Sequence, residues 1–285
     1  MRFDSIIIGG GPAGITAAVY TARAGFTCAV VDDERSSLLK TDKIENYYGV
    51  DSVSGRELYE KGISQAERLG VKIFKGQVLS IDFEDVFALK TDKEKLYAKT
   101  VVIATGSGVK GKKIKGEEEF EGRGVSRCAV CDGFFFKGKN VAVVGDGEFA
   151  HHEADVLSGV CASVTLLSNG KDITSDKYKV ITDKISHIIG ENLVSGVVFE
   201  NGDEIPLDGV FIANGVPSAS DFAVRIGIAE NKGVIVTDEN MKTSIPGIFA
   251  AGDCTSSPKQ IATAVYTGMK CAFSVIEYLK GKKQP

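Results

Sequence analysis

Ser5-Ile-Ile-Ile-Gly-Gly-Gly-Pro-Ala-Gly14 is the stretch that decides the fold. Ser5 to Ile8 is an apolar run ending in glycines, the signature of a strand buried on both faces of a parallel sheet. Thr16 to Ala24 then offers Ala17, Ala18, Val19, Tyr20 and Ala22, a helix with small residues for close packing on that sheet, and Gly25 ends it. Cys28 to Val31 is a second short apolar strand, which completes a βαβ unit. Gly9, Gly11 and Gly14 satisfy G-x-G-x-x-G in the required place. Gly9 permits the tight turn, Gly11 lets a pyrophosphate approach the backbone, and Gly14 lets helix and strand pack closely. The phosphates of a dinucleotide then sit at the helix N-terminus, on Pro12 and Ala13. Asp32, at the end of the second strand, can accept from a ribose 2′-OH, with Asp33 as the register alternative. Position alone does not separate FAD from NAD.

The pattern recurs further along. Val141 to Val144 is a strand, Gly145-Asp-Gly147-Glu-Phe-Ala150 a glycine turn, Ala154 to Leu157 lies in a helix, and Val164 to Leu167 is another strand. Two Rossmann-like units imply an α/β protein with two three-layer ββα domains of the nucleotide-binding type. Val101 to Ile103 closes the first sheet at Ala104-Thr105-Gly106, and Gly108 to Gly116, rich in glycine and lysine, reads as a linker. A strand follows at Gly209 to Ala213, another at Ile248 to Ala250 leads into Gly252-Asp253, and a helix runs from Gln260 to Leu279. That last block has no nucleotide unit of its own. It is expected to complete the first domain, so the reading is an FAD/NAD-type domain at 1–109 and 242–285 with a second domain, 110–241, inserted.

A length of 285 residues exceeds what one hydrophobic core usually organises, in keeping with two domains. With 43% hydrophobic and 25% charged residues the chain can build those cores, which excludes a disordered protein. The net charge of -4 argues against a general nucleic-acid or membrane binder, which would carry a basic excess. Met1-Arg2-Phe3-Asp4 runs directly into a strand with no signal-peptide pattern, and no apolar run approaches the ~18 residues of a membrane span. A cytoplasmic location is expected. There, thiols are kept reduced, so the six cysteines are not a structural disulfide framework. Cys28, Cys161, Cys254 and Cys271 stand alone in apolar or small-residue contexts and read as small buried hydrophobes. Cys128-Ala-Val-Cys131 is the close pair, and its two sulfurs can form a readily reduced disulfide. Metal binding is the competing reading, but zinc wants four ligands and no second pair lies at suitable spacing; His151 and His152 point to different helix faces.

Five motifs carry a family resemblance over nearly the whole chain: Gly9-Gly-Gly-Pro-Ala-Gly14, Ile44-Glu-Asn-Tyr-Tyr-Gly49, Ala104-Thr-Gly106, Cys128-Ala-Val-Cys-Asp-Gly133 and Gly247-Ile-Phe-Ala-Ala-Gly-Asp253. In this order they resemble the low-molecular-weight thioredoxin reductases. The resemblance implies FAD in the outer domain, with Asn46 near the isoalloxazine, Asp253 and Gly252 at the ribitol, Gln260 and Ile261 presenting backbone groups to the ring, and Val78, Ala104, Thr105, Gly106 and Lys259 also in contact. Lys40 stands where the family has a glycine-rich stretch. A homodimer, rotation between domains, and thioredoxin as electron acceptor are implied too. By the same analogy Cys131 faces the flavin, Cys128 attacks the partner's disulfide, and Asp132 serves as acid and base.

The second glycine loop departs from the family. Asp146 and Glu148 place two carboxylates where a pyrophosphate should be cradled, and like charges there are unfavourable. After the next strand an NADP enzyme needs arginine and an NAD enzyme a carboxylate. The chain has Ser168-Asn169-Gly170-Lys171, and a lysine lacks the bidentate fork. Electrons are therefore expected from elsewhere. The nearest resemblance is to ferredoxin-dependent flavin thioredoxin reductases. A ferredoxin near about -400 mV reducing a thioredoxin near about -270 mV releases about 6 kcal/mol per electron pair. An acidic ferredoxin calls for a basic dock. Lys110, Lys112, Lys113 and Lys115, or Lys280, Lys282 and Lys283, could supply one, although a solvated linker explains the first group equally well.

Overall fold

The computed structural model describes residues 1–107, 113–231, 233–255 and 258–281. The chain opens with β1 (Arg2–Ile8), α1 (Pro12–Arg23), β2 (Cys28–Asp32), α2 (Gly55–Arg68), β3 (Lys72–Lys75), β4 (Val78–Phe83), β5 (Phe87–Thr91) and β6 (Lys95–Ile103). It continues through β7 (Val125–Ser126), α3 (Ala129–Asp132), β8 (Asn140–Val144), α4 (Glu148–Ser158), β9 (Ser163–Leu167), β10 (Lys179–Ile181), β11 (Ile185–Gly190), β12 (Val194–Phe199), β13 (Glu204–Pro206) and β14 (Gly209–Ile212). It closes with α5 (Ala219–Ile226), β15 (Glu230–Asn231), β16 (Val234–Ile235), β17 (Ile248–Ala250) and α6 (Ile261–Gly281).

Two compact units result: Met1–Gly108 with Ser218–Pro285, and Val109–Pro217. In the first, the sheet order is β3-β2-β1-β6-β5-β4, and β17 pairs in parallel with β6 through Ile248↔Val101 and Ala250↔Ile103. The C-terminal block thus completes the sheet begun at Arg2. The alternation of β1 and β2 feeds two cores. Ile6, Ile8 and Val31 join Leu89, Leu96 and Phe222 on one face. Ile7 and Val30 join Ala17, Ala18, Cys271 and Val275 beneath α1 and α6 on the other. Small residues on the facing helices let them approach closely: a Cβ at Gly268 would stand 2.3 Å from the Ala13 carbonyl oxygen.

The return to the first unit comes at Ser218, earlier than the expected boundary after 241. The reason is the apolar face of α5. Ala219, Phe222 and Ala223, with Ile228 and Ile235, belong to the first unit's core, and Arg225 Nη1 donates to the Leu79 carbonyl at 3.1 Å.

The second unit carries a parallel sheet, β10-β9-β8-β14-β7, and a separate antiparallel sheet, β11-β12-β13. The sequence expectation of a linker through Gly116 needs correcting. Ile114 is buried with Phe120, Val125 and Val210 in this unit's core, and Lys115 bridges to His187.

Candidate functional site

The first glycine loop is a cradle that only glycine can form. Gly9 has φ +107°, and a Cβ there would lie 2.4 Å from the Ala104 carbonyl oxygen; at Gly14 it would lie 2.0 Å from the Gly9 carbonyl oxygen. Gly11 differs, since a Cβ there would meet only Ser36 Oγ at 3.4 Å, which leaves its backbone open to a ligand. No side chain caps α1 at Gly11, and its first turn has Pro12 and Ala13 but no acidic residue. Uncapped N–H groups at a helix start suit an anion.

Asp32 is 3% exposed. Its Oδ1 accepts the Gly10 N–H at 3.0 Å, and its Oδ2 accepts the Tyr59 hydroxyl. Tyr59 escaped sequence analysis, although a tyrosine on the buried face of α2 was its available signal. Asp33 is half-buried and accepts the Arg35 N–H at 3.2 Å. Burial, with the neighbouring charge of Asp32, holds its carboxyl above the usual carboxylate range despite that hydrogen bond.

Other expected cofactor residues converge at the ends of β6 and β17. The Ala104 N–H donates to Ile8 at 2.9 Å, and Gly106 has φ +71°. Gly252 has φ +79°, with room for no Cβ beside Ala13, and its N–H donates to Thr267 Oγ1 at 3.0 Å. Ser107 Oγ donates to Asp253 at 3.4 Å, and Asn46 Nδ2 donates to Gln260 Oε1 at 3.2 Å, just before Ile261 opens α6. Lys40 and Lys259 are exposed and Val78 is buried; these three take no part in those hydrogen bonds. The buried Thr105 Oγ1 has no hydrogen-bond partner among the described residues. An orphaned hydroxyl beside an open phosphate cradle is what a dinucleotide would satisfy, and these residues fit FAD.

In the second unit β7 leads to Cys128 and Cys131, joined by a disulfide with a Cα–Cα distance of 5.3 Å. Cys128 is the N-cap of α3, and the Cys131 N–H donates to its Sγ at 3.1 Å. Ser126 holds the site from below: its Oγ accepts the Cys128 N–H at 3.1 Å and donates to Asp132 Oδ2 at 2.6 Å. The Ala129 N–H donates to Glu153 Oε2 on α4 at 2.9 Å. Cys128 is buried and Cys131 exposed, with Val130, Phe134 and Phe135 exposed alongside. Ser126 and Glu153 lie outside the sequence motifs. The signal for Glu153 was a carboxylate at helical spacing among Phe149, Ala150, Ala154 and Leu157, all buried.

The second glycine loop keeps the turn and changes its lining. A Cβ at Gly145 would stand 2.3 Å from the Ala213 carbonyl oxygen, so the tight turn is intact. Asp146 and Glu148 are both exposed, with Glu148 in the first turn of α4, so this helix start carries its own anion. Beyond β9, Ser168 Oγ donates to the Lys171 carbonyl, and Asn169, at φ +52°, accepts the Ile185 N–H at 2.8 Å. Ser168 is thus turned onto the loop's own backbone, and Asn169 ties the loop to the start of β11.

Among the described residues no group of three or more His, Cys, Asp and Glu could hold a metal. Cys28, Cys254 and Cys271 are buried; burial pushes the thiols of Cys28 and Cys254 up to about 12 and that of Cys271 higher still. Cys161 is only partly buried. Of the expected docking lysines, Lys113 pairs with Glu118, while Lys115 and Lys280 are exposed. Lys110, Lys112, Lys282 and Lys283 lie outside the described residues. No helix among the described residues is long and apolar enough to cross a membrane.

The model of the family described as pyridine nucleotide-disulphide oxidoreductase matches residues 3–195 and 178–268. The chain belongs to this oxidoreductase family. A thioredoxin reductase of Aquifex aeolicus (strain VF5) is 36% identical over 99% of this chain and 95% of its own. An atypical thioredoxin reductase of Desulfovibrio vulgaris Hildenborough superposes with a TM-score of 0.94 at 36% identity, covering 100% of both chains. A ferredoxin-flavin thioredoxin reductase of Clostridium acetobutylicum superposes with a TM-score of 0.76 at 31% identity, covering 98% of this chain and 99% of the other. The α/β fold with Rossmann-like sheets and the disulfide oxidoreductase class thus stand as expected, and like its family the oxidoreductase is an FAD-binding flavoprotein.

Proposed function

We propose that this oxidoreductase is a thioredoxin-disulfide reductase that draws its electrons from reduced ferredoxin, works as a homodimer and resides in the cytoplasm. The observation that carries the ferredoxin reading is the contrast between the two glycine loops. The first is uncapped and free of acidic side chains. The second keeps the turn at Gly145 but carries Asp146 and Glu148, and beyond β9 Ser168 bonds the loop's own backbone while Asn169 bonds the first residue of β11.

FAD would be held by Gly9, Gly11, Pro12, Ala13 and Gly14 at the pyrophosphate, by Asp32 and Asp33 at the adenosine, and by Asn46, Thr105, Asp253 and Gln260 towards the flavin. Bound there, it would supply the chemistry that joins one-electron donors to the two-electron reduction of a disulfide. In the dithiol state, the Cys128 thiolate attacks one sulfur of the thioredoxin disulfide, forming a mixed disulfide and releasing a thiolate. Asp132, held by Ser126, protonates that departing sulfur. The Cys131 thiol then passes its proton to the Asp132 carboxylate and attacks Cys128 Sγ, re-forming the S–S bond; the second partner sulfur leaves, takes up that proton, and the partner departs as a dithiol. Two electrons and two protons have moved. Cys128 is the buried sulfur, so its attack requires that it be uncovered during turnover. The exposed Val130, Phe134 and Phe135 beside the disulfide suit an apolar partner surface.

The test is stopped-flow bleaching of the flavin. Fast bleaching by reduced ferredoxin and none by sub-millimolar NADPH is expected; rapid bleaching by NADPH would overturn the ferredoxin reading. The intact turn at Gly145 favours that second reading, an NADPH enzyme with a degenerate site.

A further inference from the structure

We propose that the outward stripe of α6 is the two-fold face on which a second copy of this chain docks, with Phe273 on the axis and Lys270 set against the partner's Glu277. The inference rests on the reading of the oxidoreductase as a homodimer and adds where the two copies meet.

α6 is 21 residues long and buries one side, where Ala264, Gly268, Cys271 and Val275 face α1 and the sheet. A surface helix is expected to be polar on the opposite side. Here that side carries Tyr266, 52% exposed, and Phe273, 55% exposed, with Met269 and Ile276 partly exposed along the same line. Single exposed apolar side chains are ordinary, but a contiguous run of them marks an interaction surface. Tyr20 of α1, itself exposed, stands edge-on to Phe273 with ring centroids 5.7 Å apart, which widens the stripe onto α1 and braces the ring. The spacing is that of a heptad seam: Tyr266, Phe273 and Lys280 recur at every seventh position, with Met269 and Ile276 between them.

Symmetry selects a second copy as the occupant. A two-fold interface must be complementary to itself. Two copies of α6 packed antiparallel with the axis at Phe273 bring together residues that lie equally far before and after it. At about 100° per residue, Lys270 and Glu277 fall on one side of the Phe273 line, and Met269 and Ile276 on the other. One side then sets Lys270 against the partner's Glu277, twice over. The other sets Met269 against the partner's Ile276, apolar on apolar. At each end Lys280 meets the ring of the partner's Tyr266, a cation–π pairing. Within one copy Lys270 stands 5.8 Å from the Tyr266 ring centroid and Glu277 takes Lys242 at 3.3 Å, so both charges are held at the stripe. Parallel packing would place Lys270 on Lys270 and Glu277 on Glu277. A partner of one charge sign would suit only one of these residues, and a lipid surface would bury both unpaired.

The experiment is sedimentation equilibrium on the full FAD-loaded chain over a range of concentrations, since dimerisation follows mass action. The wild-type chain is expected at twice its monomer mass. Phe273→Glu sets two carboxylates face to face on the axis and should weaken dimerisation about 100-fold or more, with FAD content unchanged. Lys270→Glu and Glu277→Lys each turn two attractive contacts into repulsive ones and should each weaken it about tenfold. The double swap restores the pairing and should return to within about threefold of wild type, a rescue that only facing charges produce. An undiminished dimer in Phe273→Glu, or a double swap weaker than either single one, would overturn the proposed face and leave the homodimer reading standing. A wild-type monomer would overturn both and leave the stripe to another partner. If Phe273→Glu does not fold, the charge swaps decide.

Discussion

Replacing Tyr59 with phenylalanine removes one hydroxyl and leaves the ring. That hydroxyl donates to Asp32, whose carboxylate is 3% exposed and whose other oxygen takes the Gly10 N–H. Burial, the hydrogen bond to Asp32 and the nearby carboxylates raise the Tyr59 phenol above its ordinary value, so it remains a donor throughout the physiological range. A hydrogen bond to a charged acceptor contributes about 1.5–3 kcal/mol, and water has little access to replace it. For a domain of this size each kcal/mol corresponds to about 2–4 °C in Tm, so Tyr59→Phe should lower Tm by about 3–12 °C. Gly10 sits inside the cradle, so FAD should also dissociate faster. The assay is thermal unfolding with flavin-fluorescence release, run as a double-mutant cycle with Asp32→Asn. The expected coupling is about 1.5–3 kcal/mol. A coupling below about 0.5 kcal/mol, or a Tm change under about 1 °C, would refute the claim that Asp32 is braced inward by Tyr59.

Gly14→Ala places a Cβ 2.0 Å from the Gly9 carbonyl oxygen and should yield protein without flavin, destabilised by about 3 kcal/mol or more; normal FAD content after purification would contradict this. Cys128→Ser should abolish thioredoxin reduction while the flavin still bleaches with its donor, and steady turnover by that variant would refute the role given to Cys128. Ser126→Ala deprives Asp132 of its donor and the Cys128 N–H of its acceptor; single-turnover disulfide exchange should slow about tenfold or more with flavin reduction unchanged. Asp4→Asn tests linkage. Burial raises the Asp4 carboxyl, but hydrogen bonds from Lys99 and Thr27 outweigh it and lower it overall. A lowered carboxylate contributes stability that is present above the unfolded value of about 3.9 and lost as pH falls through the folded one. The variant should therefore melt lower than wild type at pH 7, and the gap should close below about pH 4. A gap that widened in acid would reverse the sign.

Sequence by itself determined the parts whose physics is local. Ser5 to Gly14 spelled a strand, a turn and a helix start because a phosphate cradle needs glycines at fixed spacing, and Cys128 and Cys131 announced a disulfide because two intervening residues bring the sulfurs together. The missing arginine beyond β9 was equally legible, since it is the absence of a residue type. Tertiary structure decided what depends on partners far apart in the chain. The return of α5 to the first core was invisible because an apolar helix face fits either unit until its neighbours are known. Ile114 read as linker because its burial comes from β7 and β14. Asp32 reads as a ribose ligand from its place after β2, but that Tyr59, on another element, donates to one of its oxygens only the tertiary structure shows. The tie between Glu153 and Ala129 joins residues whose spacing follows no motif, and only the packing of α3 on α4 brings that carboxylate to the Ala129 N–H.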